Sequence, residues 1–191
     1  MFKEKITNEE LANLPLKCFE GEITVVDSHE KIHKACEILS VQHVIGFDTE
    51  TRPSFKKGMV NTVALLQLST CSQAFLFRIN KIGLPPEICS VLANPGIIKA
   101  GVAIRDDIKV LQKICKFNPR GFVELQDYAR SLGIQDFSLK KLAAIVCGFR
   151  ISKTQQISNW DVETLTQSQI IYAATDAWIA QEIFMKFSNA Q

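Results

Sequence analysis

The sequence predicts an α/β domain, a mixed β-sheet covered by helices on both faces. Short apolar runs rich in β-branched and aromatic residues gather in its first half, "EITVV", "VIGFD", "TVALLQLST" and "QAFLFRI", and each has the length and composition of a buried strand. Farther along, shorter strand-like runs alternate with helical segments, the order that layers helices over a sheet. With 191 residues, 47% of them hydrophobic and 22% charged, the chain can bury one domain core.

Residues 1–20 read as a polar N-terminal leader and 21–191 as the domain proper. "EITVV" (22–26) is the first strand. "DSHEKIHKACEILS" follows as a helix capped by Asp27 or Ser28, with Ile32, Ala35, Cys36 and Leu39 as its apolar stripe. "VIGFD" (44–48) is a strongly apolar strand. "TVALLQLST" and "QAFLFRI" are parted by a short polar turn, which predicts antiparallel neighbours. "PPEICSVLAN" is a short helix closed by Asn94-Pro95. "GIIKAGVA" (96–103) is a buried strand feeding the helix "RDDIKVLQKIC", and "FVEL" is a last short strand before helices near 126–132 and 138–148. The final helix, near 166–187, opens on the capping-box pattern Thr166-x-x-Gln169.

Composition excludes several classes. The net charge of +2 sets up no strong field, so a nucleic-acid reader would have to use local basic clusters. No apolar run approaches the length of a membrane span, and "MFKEKITNEE" has no apolar core of a secretory signal. An intracellular protein is expected, cytoplasmic or nuclear. The six cysteines stand singly with no CxxC pair, which suits reduced, buried thiols better than a zinc cluster or disulfide framework.

The acids carry the functional signal. Asp48 and Glu50 end an apolar strand two residues apart, so they project to one side while Thr49 faces away. They are either a pair of ligands or two solvated loop acids. Counting 100° per residue from Tyr172, Asp176, Ile179 and Ile183 share one stripe of the last helix. A carboxylate there needs a cationic partner, and no basic residue sits three or four positions away. "RDD" at 105–107 opens a helix at the end that favours negative charge; capping by Asp106 or Asp107 needs only one of the two. Two carboxylates about 4 Å apart repel by roughly 1 kcal/mol in water and about 4 kcal/mol at an effective dielectric near 20. Divalent cations relieve such repulsion, and oxygen-only sites suit Mg²⁺ or Mn²⁺. A carboxylate metal site for phosphoryl chemistry is therefore expected.

The stretches "VIGFDTE", "KAGVAIRDDIKVL" and "YAATDA", in that order, resemble the three motifs of the DEDD superfamily of 3′–5′ exonucleases. Their tyrosine places the resemblance in the DEDDy branch, with ribonuclease D and the Werner-type exonuclease domain. "TVALLQLS", "FVELQDYA" and "SLKKLA…ISNW" fill the intervals with weaker echoes, so the likeness spans roughly residues 20–187. It implies a ribonuclease H-like fold and stepwise hydrolysis from a 3′ end with two divalent cations, Mg²⁺ or Mn²⁺. In that family pattern Asp48, Glu50 and Asp176 would ligate the first cation and Asp48 would bridge to the second. Asp107 would support the second, Tyr172 would orient the attacking water, and Asp106 would be a cap or an outer group. The implied partner is nucleic acid with a free 3′ end, DNA or RNA, acted on alone or within a larger nucleic-acid-processing assembly. The alternative is a nucleic-acid-binding module of the same fold with little or no catalysis.

Lesser features divide in the same way. Arg52, Lys56 and Lys57 follow the first acids, and Lys140, Lys141, Arg150 and Lys153 precede the last helix. Such runs are commonly solvated faces, but the resemblance puts them beside the substrate channel. Arg52, Lys57 and Lys153 are thus candidate substrate contacts, with Phe55 and Met59 either stacking on terminal bases or packing a loop. Trp160 is expected to anchor the segment before the last helix. "HEKIH" at 29–33 matches the zinc-peptidase pattern H-E-x-x-H, yet His29 and His33 sit on the shoulder of an amphipathic helix and no third ligand follows at an evident spacing.

Overall fold

The computed structural model describes residues 2–51 and 62–190. Its centre is a six-stranded mixed sheet in the order β1-β4-β3-β2-β5-β6, formed by β1 (Glu22–Val26), β2 (Val44–Thr51), β3 (Val63–Ser69), β4 (Gln73–Phe77), β5 (Ile98–Gly101) and β6 (Phe122–Glu124). β2, β3 and β4 form the antiparallel centre, while β1, β5 and β6 join in parallel. The antiparallel neighbours expected for "TVALLQLST" and "QAFLFRI" are β3 and β4. Every residue of β3 is buried, which explains its unbroken apolar run, since both faces of the sheet are covered.

One face carries α2 (His29–Ser40), α3 (Ile79–Ile82), α4 (Pro86–Ala93) and α5 (Arg105–Ile114). Their apolar sides meet Ile45, Phe47, Leu66, Leu68, Phe75 and Phe77. The other face carries the 22-residue α8 (Gln167–Ser188), with α6 (Leu125–Ser131) and α7 (Leu139–Leu142) packed around it. The stripe read from Tyr172 is buried as expected, but Ala173, Ala174, Ala177 and Ala180 are buried too. Small residues around the helix let neighbours close over most of its circumference, so α8 is a core helix rather than an amphipathic cover.

Other boundaries differ for local reasons. The helix expected over 138–148 is α7 followed by a π-helical turn, Ala143–Cys147, and Gly148 ends it at φ 74°. Ser28 occupies the N-cap of α2 without a side-chain bond, and Asp27 instead pairs with Lys31 at 2.8 Å. Thr166 and Gln169 form the expected capping box. The leader is anchored to the body. It contains α1 (Asn8–Asn13), packs Ile6 and Leu11 against Ala144, and buries Phe19 beside Leu65, Trp160 and Tyr172. Among the described residues, no helix is long and apolar enough to cross a membrane.

Candidate active site

The site forms where β2 runs past the end of β5. β5 pairs with Val44, Ile45 and Gly46 only, so the following residues of β2 have no strand on that edge. Asp48 lies opposite Gln67 and Glu50 opposite Leu65 on β3, both on the face that α8 covers. The register slips between Glu50 and Thr51, a bulge of the kind that re-aims side chains at strand ends. α8 crosses β2 so closely that a Cβ on Gly46 would lie 1.8 Å from the carbonyl oxygen of Ala177. That approach brings Asp176, the neighbour of Ala177, onto the strand. Asp48, Glu50 and Asp176 each place one carboxylate oxygen within 4.8 Å of the others. Tyr172 lies one helical turn before Asp176, and both are buried, 9% and 6% exposed.

Asp107 reaches the same strand end from the other face. It is half-buried and its carboxylate accepts from the Thr49 hydroxyl at 2.8 Å, so the residue that points away from Asp48 and Glu50 contacts the fourth acid. It stands beside the three-carboxylate group rather than within it. Asp106 faces solvent with 88% of its side chain exposed and pairs with Lys109. Neither acid caps α5: its N-cap is Ile104, with no side-chain bond. Glu124 instead holds the turn just before the helix, accepting from the amides of Ala103 and Ile104 at 2.9 Å each.

Among the described residues no lysine or arginine forms an ion pair with Asp48, Glu50 or Asp176. Burial, with added repulsion from Asp176 and Asp107, pushes the Asp48 carboxyl well above the usual carboxylate range. Burial and then the charges of Asp48, Asp176 and Asp107 push Glu50 up to about 10. Burial lifts Asp176 to about 7, against the opposing pull of the Tyr172 hydroxyl and the Lys153 ammonium. Asp107 is raised as well, chiefly by burial, and Tyr172 is held in its neutral phenol form by burial and the adjacent acids. Convergent carboxylates with no ion-paired base among the described residues, all offering oxygen, have the chemistry to hold a hard divalent cation.

The acids open into a cleft of about 430 Å³ that Tyr172, Lys140 and Lys153 also line. Lys153 thus reaches the site, whereas Arg52, Phe55, Lys57 and Met59 lie outside the described residues. Trp160, 1% exposed, packs with its ring centroid 5.9 Å from that of Tyr172, an anchor under the tyrosine. His29 and His33 are exposed, and His33 pairs with Glu37 at 3.2 Å. Among the described residues the only group of three potential metal ligands is Asp48, Glu50 and Asp176.

Sequence reasoning missed four residues. Thr49 and Glu124 are the contacts just described. Gln67, fully buried across the strand from Asp48, has neither amide atom hydrogen-bonded; the one polar residue of β3 below Ser69 was its signal. Ala103 takes a positive φ of 60° with no glycine to announce it.

A mixed sheet whose central strand and last helix bring three acids and a tyrosine together, with a fourth acid on α5 beside them, is an α/β fold carrying a candidate hydrolytic metal site. The chain belongs to the 3′–5′ exonuclease family, whose domain model matches residues 23–190, and falls within the DEDD superfamily. It is 35% identical to the bifunctional 3′–5′ exonuclease/ATP-dependent helicase WRN of Mus musculus, over 93% of this chain and 13% of that protein. It is 34% identical to human exonuclease 3′–5′ domain-containing protein 2, over 68% of this chain and 23% of that one. The chain thus spans less than a quarter of the length of either relative. In fold it resembles the Aedes aegypti Nibbler EXO domain (TM-score 0.81, 24% identity, 91% of each chain) and Escherichia coli RNase D (TM-score 0.78, 19% identity, 88% of this chain and 46% of that one).

Proposed function

We propose that this domain hydrolyses the terminal phosphodiester of a nucleic-acid strand from its 3′ end, releasing nucleoside 5′-monophosphates. The observation that carries this reading is the convergence of Asp48, Glu50 and Asp176 within 4.8 Å, with Tyr172 one turn away and no ion-paired lysine or arginine among the described residues. These acids would hold two divalent cations, Mg²⁺ or Mn²⁺, with Asp48 shared between them and Asp107 on the second. When bound, the cations supply a nucleophile at neutral pH and stabilise charge on the attacking and leaving oxygens. The chain's residues do the positioning. Tyr172, kept protonated by its surroundings, aims its hydroxyl at the water that attacks phosphorus. Thr49 fixes the Asp107 carboxylate at 2.8 Å. Lys153, on the cleft wall, neutralises substrate phosphate, and Arg52, Phe55, Lys57 and Met59 are further candidates for substrate contact.

The substrate is nucleic acid with a free 3′ end, DNA or RNA. A neighbour of the same fold, Trypanosoma brucei RNase D, is known in complex with RNA U12 (TM-score 0.76, 21% identity). The domain 21–191 works by itself or within a larger nucleic-acid-processing assembly, in the cytoplasm or nucleus. Oligonucleotides labelled at the 5′ end, single-stranded DNA, recessed duplex and RNA in parallel, test the reading with Mg²⁺ and with Mn²⁺. A ladder shortening one nucleotide at a time, abolished by EDTA and by Asp48→Ala, is expected. No shortening with either metal, or shortening that survives Asp48→Ala, overturns it.

A further inference from the structure

We propose that Glu124 is a positioning residue of this site: its carboxylate holds the turn that presents Asp107. The inference rests on the exonuclease reading above. The starting point is a helix whose own acids do not cap it. α5 begins "RDD", yet Asp106 is turned to Lys109 and Asp107 to Thr49. Amides at the start of a helix have no partner within it, so the chain leading into α5 needs support from elsewhere.

The sheet supplies it. β6 pairs with β5 so that Glu124 stands opposite Gly101, beside the point where the chain leaves β5 for α5. The two Glu124 oxygens accept from the successive amides of Ala103 and Ile104, both at 2.9 Å. One of them also accepts from the Gln126 amide at 3.2 Å, capping α6. A single side chain therefore holds the turn into α5 and caps α6. A carboxylate suits this place, because charge-assisted bonds to backbone amides at helix N-termini are stronger than neutral ones.

The turn it holds does not hold itself. Ala103 has φ 60°, a left-handed conformation that costs a residue with a Cβ free energy and persists where its surroundings over-determine it. Val102 and Ala103 line the cleft together with Asp48 and Glu50, so the strained turn is part of the wall. Asp107 follows Ile104 by three residues, within one turn, and its direction is set by how α5 begins. Releasing the two amides frees Ala103 to leave the left-handed region, and Asp107 then swings off Thr49. Glu124 does not line the cleft. It holds the backbone turn, and its charge also repels that of Asp107.

The test uses the full chain with Glu124→Gln, Ala103→Gly and the double variant. The near-isosteric amide retains one acceptor oxygen, so the two successive amides cannot both be held. Three readouts are taken: amide hydrogen exchange at Ala103 and Ile104, Mn²⁺ affinity without nucleic acid, and kcat and KM on a labelled oligonucleotide. Glu124→Gln is expected to speed exchange at both amides and to lower Mn²⁺ affinity and kcat by roughly 10- to 100-fold, the usual effect of losing an outer support. KM changes by less than about twofold, because substrate contacts stay in place. Adding Ala103→Gly is expected to restore at least about threefold of the lost affinity, since glycine keeps a positive φ without strain. Faster exchange with wild-type Mn²⁺ affinity and kcat overturns the proposal, as does a double variant no better than Glu124→Gln. If Glu124→Gln alone does not fold, the double variant is compared with Ala103→Gly by the same measures and limits. If the wild-type protein releases no nucleotide, the exonuclease reading fails, while exchange and Mn²⁺ affinity still decide the role of Glu124.

Discussion

Gly46→Ala perturbs the site without touching an acid. The added Cβ would lie 1.8 Å from the Ala177 carbonyl oxygen, 2.6 Å from its carbonyl carbon and 3.3 Å from the Gln181 nitrogen. Ordinary contact begins at 3.4 Å, so the shortfall is about 1.6 Å, and every obstacle is main chain of α8, which no rotamer change moves aside. β2 is hydrogen-bonded on both sides at this residue, so the helix is the element that shifts, carrying Asp176 with it. Overpacking of this kind costs about 1–3 kcal/mol, a fall in Tm of roughly 2–12 °C for a chain of this size. Displacing a reacting group by about 1 Å costs on the order of 100-fold in rate. The assay is thermal melting together with kcat for 3′ nucleotide release. Gly133→Ala is the control, because Gly133 has φ 81° with nothing within 4 Å and lies off the cleft; it lowers Tm while leaving kcat in place. If Gly46→Ala keeps wild-type kcat, the close crossing of α8 over β2 does not set the site.

Acidity makes the second prediction. A carboxyl whose folded-state pKa exceeds its unfolded value keeps a proton that the unfolded chain gives up, so folding is penalised increasingly as pH rises from the ordinary carboxylate range through the folded value. Those folded values are about 7 for Asp176 and about 10 for Glu50. Metal-free protein is therefore expected to lose Tm between about pH 5 and about pH 9, and Mg²⁺ or Mn²⁺ restores it at the alkaline end; a flat metal-free profile by calorimetry contradicts this. The rate of 3′ release rises over the same interval when chemistry is limiting, because ionised ligands and activated water are both favoured. Tyr172→Phe is expected to lower kcat by about 100-fold with little change in KM, measured under saturating oligonucleotide. Lys153→Ala is expected to raise KM and to reduce the slope of log affinity against log salt by about one, measured as oligonucleotide binding in Ca²⁺.

Much of this was legible in the sequence because it follows from short periods. The alternation along β2 puts Asp48 and Glu50 on one side, and helical spacing puts Tyr172 and Asp176 on one stripe; each holds whatever the rest of the chain does. Asp107 rather than Asp106 faces the strand end, as the motif spacing indicates. The misses need tertiary knowledge. Acids at a helix start read as caps, yet the turn into α5 is held from β6, and only the pairing of β5 with β6 reveals that. The left-handed Ala103 leaves no trace in residue type. α8 read as amphipathic because a periodicity argument sees its best face, and nothing local says that the leader's Phe19 and the turn after α7 cover the remaining sides.

Asp48, Glu50 and Asp176 are proposed to form one cation-binding group. Calorimetric titration of Mn²⁺ into metal-free wild-type protein and into Asp48→Asn, at about pH 8 where ligand deprotonation is favoured, tests it most directly. Saturable binding to the wild type, weakened more than about 10-fold in the variant with its fold intact by circular dichroism, is the expected result. Superimposable isotherms for the two proteins would contradict it.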